Sequence, residues 1–129
     1  MERNHFLLIA SVSGMLAVIL GAFGAHGLEK LVDAKMLQRF HTGVEYQFYH
    51  SLALLLISIL YYFIRNKYMA YASYAFLLGM ILFSGSLYLY VLTDIKGFVL
   101  VTPFGGLSFI IGWGLLAFSA KNGMHSEKI

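Results

Sequence analysis

The chain has 129 residues, of which 60% are hydrophobic, 16% aromatic and 12% charged, with one proline and no cysteine. That is about half the ~25% charge of a soluble domain, which excludes a disordered chain, a disulfide scaffold, a cysteine-based zinc or iron–sulfur site and an ordinary cytosolic enzyme. The net charge of +3 does not indicate nucleic acid, because the basic residues are dispersed and flank apolar segments, as they do at membrane boundaries.

Four apolar stretches follow one another, at about 6–25, 46–64, 69–92 and 98–120. Each is close to the ~20 residues needed to cross ~30 Å of hydrocarbon as a helix. None has Asp, Glu, Lys or Arg in its interior, and none shows the alternation of a barrel strand. The expected fold is all-α: a four-transmembrane-helix bundle, a polytopic membrane protein forming a single integral membrane domain over residues 1–129.

The first stretch, Phe6 to Ala25, is too long for a signal-peptide core and is studded with glycine, so it is read as an uncleaved span. Ser13, Ala17, Gly21 and Ala25 recur every four residues, and Ala10 with Gly14 makes a second row beside them. Small residues at this spacing let helix backbones approach closely in lipid. Before the second span, Asp33 is placed to cap a helix that begins outside the bilayer and runs to about Ile64, with Gly43 as the expected bend. In the third span, Ala75 and Gly79 repeat the small-residue spacing, and Ser84, Gly85 and Ser86 are expected to serve contacts between helices. Before the fourth, Thr102-Pro103 reads as an N-cap followed by proline at the first helical position, with Gly105 and Gly106 next. Phe98 to Val101 are then expected as non-helical chain, which survives at membrane depth only when buried in protein or lining a wet cavity. Ser108 and Gly112 form the fourth span's own small-residue pair.

Lys and Arg are nearly balanced between the two sides. Arg3 beside the first span and the tight Arg65/Lys67 turn tip the assignment toward cytoplasmic termini. On the opposite side the connectivity gathers His26, His41, Glu45, Tyr46, Gln47, His50 and Thr102. His41, Glu45 and Tyr49 share one helical stripe at i, i+4 and i+8, while Tyr46 and His50 form another i, i+4 pair. An ionisable group at this depth is costly unless it is paired or faces the bundle. Three readings stand: a hydrogen-bond network pinning helix ends, which we carry forward; a proton, lipid or quinone-type site; and a metal site using His26, His41 and Glu45. No nucleophile–base pair accompanies the serines, so no catalytic residue is assigned. No metal or other cofactor is expected either. The expected partners are membrane lipids and a second copy of the chain in a homo-oligomer, not nucleic acid.

Four motifs in order carry a resemblance over essentially the whole chain. They are Gly21-Ala22-Phe23-Gly24-Ala25-His26; Thr42-Gly43-Val44-Glu45-Tyr46-Gln47 with His50; Phe83-Ser84-Gly85-Ser86-Leu87-Tyr88; and Thr102-Pro103-Phe104-Gly105-Gly106 with Gly112-Trp113. Together they resemble the YgdD/YwdK family of small four-span bacterial inner-membrane proteins. The resemblance implies a multi-pass protein of the bacterial plasma membrane and supplies no activity and no site residues. From the residues themselves, the expected function is that of a non-enzymatic bundle interacting with lipid or a partner. The alternative is a small proton-coupled transporter or a quinone-binding protein using Glu45 and His50.

Overall fold

The computed structural model describes residues 3–126. Helix α1 runs over Arg3–His26 and is followed by a 3-10 turn, Leu28–Lys30. Helix α2, Ala34–Leu60, starts where Asp33 accepts a hydrogen bond from the Met36 N–H at 2.9 Å. This satisfies one of the unpaired donors of the first turn. α2 continues through Gly43, whose missing side chain makes room for the Tyr88 ring, since a Cβ there would lie 2.9 Å from it.

Asn66 caps α3, Lys67–Gly79, by accepting from the Tyr68 and Met69 N–H groups. Its own amide donates to the Ser119 carbonyl at 3.1 Å, tying this turn to the far end of the last helix. The third span is not uniform. After α3 the chain widens into one π-helical segment, Met80–Ser84, in which the Gly85 N–H reaches back to the Met80 carbonyl. It then resumes as α4, Gly85–Thr93, and ends at Asp94, which adopts a left-handed conformation at φ 57°.

The approach to the last helix departs from the sequence expectation. Lys96–Leu100 form a 3-10 helix rather than irregular chain. Phe98 N–H bonds to Ile95 and Val101 N–H to Phe98, so this stretch meets its backbone needs locally, as membrane depth demands. Helix α5, Thr102–Ser126, then begins, with Val101 supplying the carbonyl for Phe104 and Gly105. Thr102 does not cap it. Its hydroxyl faces Ser86 of α4 at 2.5 Å, because that buried hydroxyl offers a partner the helix end does not need.

Among the described residues, four helical segments are long and apolar enough to span a membrane: Asn4–Lys30, Ala34–Leu60, Lys67–Thr93 and Lys96–Lys121. The second and third occupy the centre, with 44% of the most apolar 18-residue stretch of each buried inside the protein against 17% and 22% for the first and fourth. α1 lies against α2, and α5 against α3 and the π-helical segment. One apolar core gathers Phe6, Leu54, Ile57, Met69, Phe76 and Phe109, and a smaller one joins Leu28, Phe40 and Val91. Outside these cores, large apolar side chains such as Leu8, Val18, Ile81 and Ile110 face outward. In water that would be a liability; in hydrocarbon it is the required surface.

Candidate functional site

The register of the helices sets the depth of each polar group. The third span, Lys67–Thr93, has its midpoint at Met80. The Met80 sulfur lies 3.6 Å from the Ser13 hydroxyl of α1 and 3.7 Å from the Ser51 hydroxyl of α2, so these residues lie level with the midpoint of the third span. Ser51 Oγ is 2.7 Å from both Ser13 Oγ and the Gln47 carbonyl. Gln47 donates to the Ser13 carbonyl at 2.9 Å and accepts from the Tyr88 hydroxyl at 2.6 Å. Nearby, Ser84 donates to the Gly43 carbonyl at 2.6 Å. Three helices are thus stitched by polar groups that find partners inside the protein. Such bonds contribute about 0.6 kcal/mol each on average, with a ceiling near ~1.7 kcal/mol.

His50 sits at the same depth, 4% exposed. Its Nδ1 lies 2.7 Å from the Tyr46 carbonyl, and its Nε2 lies 3.0 Å from the indole Nε1 of Trp113. Because the carbonyl can only accept and the indole N–H can only donate, the partners assign a neutral imidazole protonated at Nδ1. The ring stacks on Phe109 with centroids 3.6 Å apart and planes 9° from parallel, and its edge meets Phe76. Both nitrogens and one ring face are therefore committed to the bundle.

Beside this histidine, Tyr46, Phe83, Pro103, Gly106, Leu107, Ile110 and Trp113 line a groove of about 610 Å³. Leu107 and Ile110 on its rim face outward, so it opens sideways into the surrounding hydrocarbon. Phe83 forms its wall because α5 comes closest to the third span there. A Cβ on Gly105 would fall against the Phe83 amide nitrogen and within 2.7 Å of its Cα. The π-helical segment ends at Ser84, next to this contact.

The remaining members of the predicted cluster are dispersed. Glu45 lies on another flank of α2, exposed, lining a shallow groove of about 270 Å³ with Ala17, Val18, Gly21, Phe48 and Tyr49. It makes no hydrogen bond or ion pair with any described residue. His41 stands half-buried beside Gly24, and His26 is exposed at the end of α1. Gln47 belongs to the polar layer and Thr102 to the α4–α5 contact. Glu45 and His50 therefore line different grooves. Among the described residues no three His, Cys, Asp or Glu side chains converge as metal ligands would.

The glycines divide in the same way. Cβ atoms on Gly79 and Gly112 would run into the rings of Phe109 and Phe76, and one on Gly21 would meet Val44 at 3.4 Å. Gly106 makes only ordinary contact with Phe83 at 3.8 Å. A Cβ on Gly14 or Gly85 would meet nothing within 4 Å, and Ala25 is exposed. Ser13, Ser51, Tyr88 and Trp113 enter the polar layer without having been singled out for it. Hydroxyls inside apolar spans were the available signal for the serines and the tyrosine. Trp113 gave none, since tryptophan equally serves packing and interface anchoring.

Fold and site together define a polytopic membrane helix bundle with a buried polar layer and a lateral apolar groove. Residues 20–106 match a family described as "Protein of unknown function (DUF423)". The chain is 40% identical over 120 residues to the UPF0382 membrane protein YwdK of Bacillus subtilis, covering 89% of this chain and 94% of that protein. It is 40% identical over 118 residues to a UPF0382 membrane protein of Haemophilus influenzae, covering 92% and 94% respectively. To the UPF0382 inner membrane protein YgdD of Escherichia coli K12 it is 39% identical over 120 residues, covering 93% and 92%. The chain belongs to this family of membrane proteins of unknown function. No solved structure matches it.

Proposed function

We propose that the protein is a non-enzymatic helix bundle of the bacterial inner membrane that holds a lipid hydrocarbon chain in the groove beside His50. The observation that carries this reading is the groove itself, about 610 Å³, apolar, at hydrocarbon depth and open to the side. Its size falls within the ~300–1,000 Å³ of small-molecule sites. His50 gives the groove a rigid wall, and both its nitrogens already have partners, so the imidazole offers the occupant no free acid or base. A proton-coupled carrier built on Glu45 and His50 gains no support, because those side chains line separate grooves.

We further place both termini on the cytoplasmic side, on the strength of Arg3 and the Arg65/Lys67 turn. Labelling of Asp94→Cys, but not Arg65→Cys, by an impermeant maleimide in intact cells checks that orientation.

The lipid reading is tested with the purified protein in nanodiscs containing a phospholipid that bears a diazirine near the end of one acyl chain. Cross-links are expected to concentrate on Leu107, Ile110 and Trp113, and Gly106→Leu, which fills the groove, should reduce them several-fold. Labelling spread evenly over all outward-facing helix surfaces would overturn the proposal.

A further inference from the structure

Apart from Glu29, one residue from the end of the first span, Glu45 is the one acidic side chain among the described residues that lies within a span without a partner. It lies six positions before Ser51, which stands level with Met80 at the midpoint of the third span, taken as the centre of the bilayer. At ~1.5 Å per residue this puts the Glu45 backbone about 9 Å from the centre of a hydrocarbon layer whose half-thickness is ~15 Å. Carboxylates at such depth almost always face the bundle interior or pair with a donor. This one faces outward, into a groove floored by Ala17 and Gly21 of α1 and walled by Phe48 and Tyr49 of α2.

The residues one turn to either side are complementary to it. His41 and Tyr49 lie at i−4 and i+4 on the same stripe, and neither makes a hydrogen bond to any described residue. The stripe thus presents one acceptor flanked by two groups able to donate. We propose that this face, centred on Glu45, joins two copies of the chain in the membrane.

Copies inserted in the same orientation place equal residues at equal depth, and a symmetric pair has its two-fold axis along the membrane normal. Helical side chains lean toward the helix N-terminus. The partner's tyrosine hydroxyl at position 49 is thereby brought toward the depth of Glu45, and Glu45 toward the depth of the partner's histidine at position 41. The small residues Ala17 and Gly21 let the second copy's aromatic side chains seat in the groove. A self-complementary stripe is what a two-fold interface requires, and the first span, with 17% of its most apolar 18-residue stretch buried, has surface to spare for it.

The chain contains no cysteine, so single-cysteine variants report the interface directly. In native membranes treated with a thiol oxidant, Phe48→Cys and Val18→Cys are expected to form disulfide-linked dimers. Leu107→Cys and Ile110→Cys, equally outward-facing but on α5, are expected to stay monomeric. Adding Glu45→Ala to the Phe48→Cys chain should weaken dimerisation roughly tenfold, the loss of one interhelical hydrogen bond per copy and so two per dimer. Glu45→Gln, which still accepts, should retain most of it. Unchanged helical circular dichroism in each variant separates loss of the dimer from loss of the fold. Equal cross-linking on both faces, a Glu45→Ala chain that dimerises like the parent, or a lipid or a different protein occupying the groove would overturn the proposal.

Discussion

Glu45 and Gln47 are nearly the same size and shape, stand two positions apart on α2, and have opposite fates. Two residues turn a helix by about 200°, so the two side chains leave the helix on opposite sides. Gln47 is 8% exposed, donates to Ser13 and accepts from Tyr88. Glu45 is exposed, with no hydrogen bond or ion pair to any described residue. The contrast shows that polarity in a membrane chain does not by itself mark the inside. A buried polar layer is recognised by being satisfied, as the groups around Gln47, Ser51 and His50 are. An outward polar group at hydrocarbon depth points to something beyond the single chain.

The largest expected effect comes from opening the satisfied side. Gly105→Ala places a methyl group against the Phe83 backbone, which cannot swing aside as a ring can. α5 must move away, and with it Phe109 and Trp113, the two contacts that α5 makes to His50. A loss of about 3 kcal/mol is expected from this overpacking, measured as unfolding in mixed detergent micelles, together with a change in Trp113 fluorescence as its bond to His50 lengthens. A smaller loss, about 2 kcal/mol, is expected for Gln47→Leu, which leaves the Tyr88 hydroxyl without its acceptor and α1 without the amide bond at Ser13. If Gln47→Leu melts like the parent, the polar layer does not hold the bundle together and the contrast with Glu45 fails.

Much of this contrast was legible before the structure, and its resolution was not. Bilayer thickness fixes helix length, so the four spans follow from counting apolar residues, and the Asp33 cap follows from its position before a run of helix formers. The division of α2 into a His41–Glu45–Tyr49 stripe and a Tyr46–His50 stripe is likewise contained in the 3.6-residue period. Where each stripe points depends on which neighbour packs against it. That is set by register between helices distant in sequence: Trp113 meets His50 across 63 positions. The π-helical segment at Met80–Ser84 and the 3-10 turn at Lys96–Leu100 escape sequence reading for the same reason. Both lie where α5 meets the third span, at the Gly105–Phe83 and Thr102–Ser86 contacts, and local propensity carries no record of that meeting.

The smallest expected effect is the most discriminating. With the protein dilute enough in excess detergent to keep the chain monomeric, Glu45→Ala should change unfolding stability by less than about 0.5 kcal/mol, as surface substitutions away from special features do. This follows from geometry, since Glu45 has no bonded partner among the described residues to lose. A carboxylate that stabilised the monomer would instead show a clear drop in the same melt. Glu45 would then belong with Gln47, as part of the bundle's own network. A flat result leaves its cost in hydrocarbon uncompensated within one chain, because an acidic group on a lipid-facing helix surface disfavours insertion by about 2.5–3.5 kcal/mol at the bilayer centre and by less toward its edge. A group that costs insertion energy and contributes nothing to the fold of its own chain is what the proposed contact between two copies would account for.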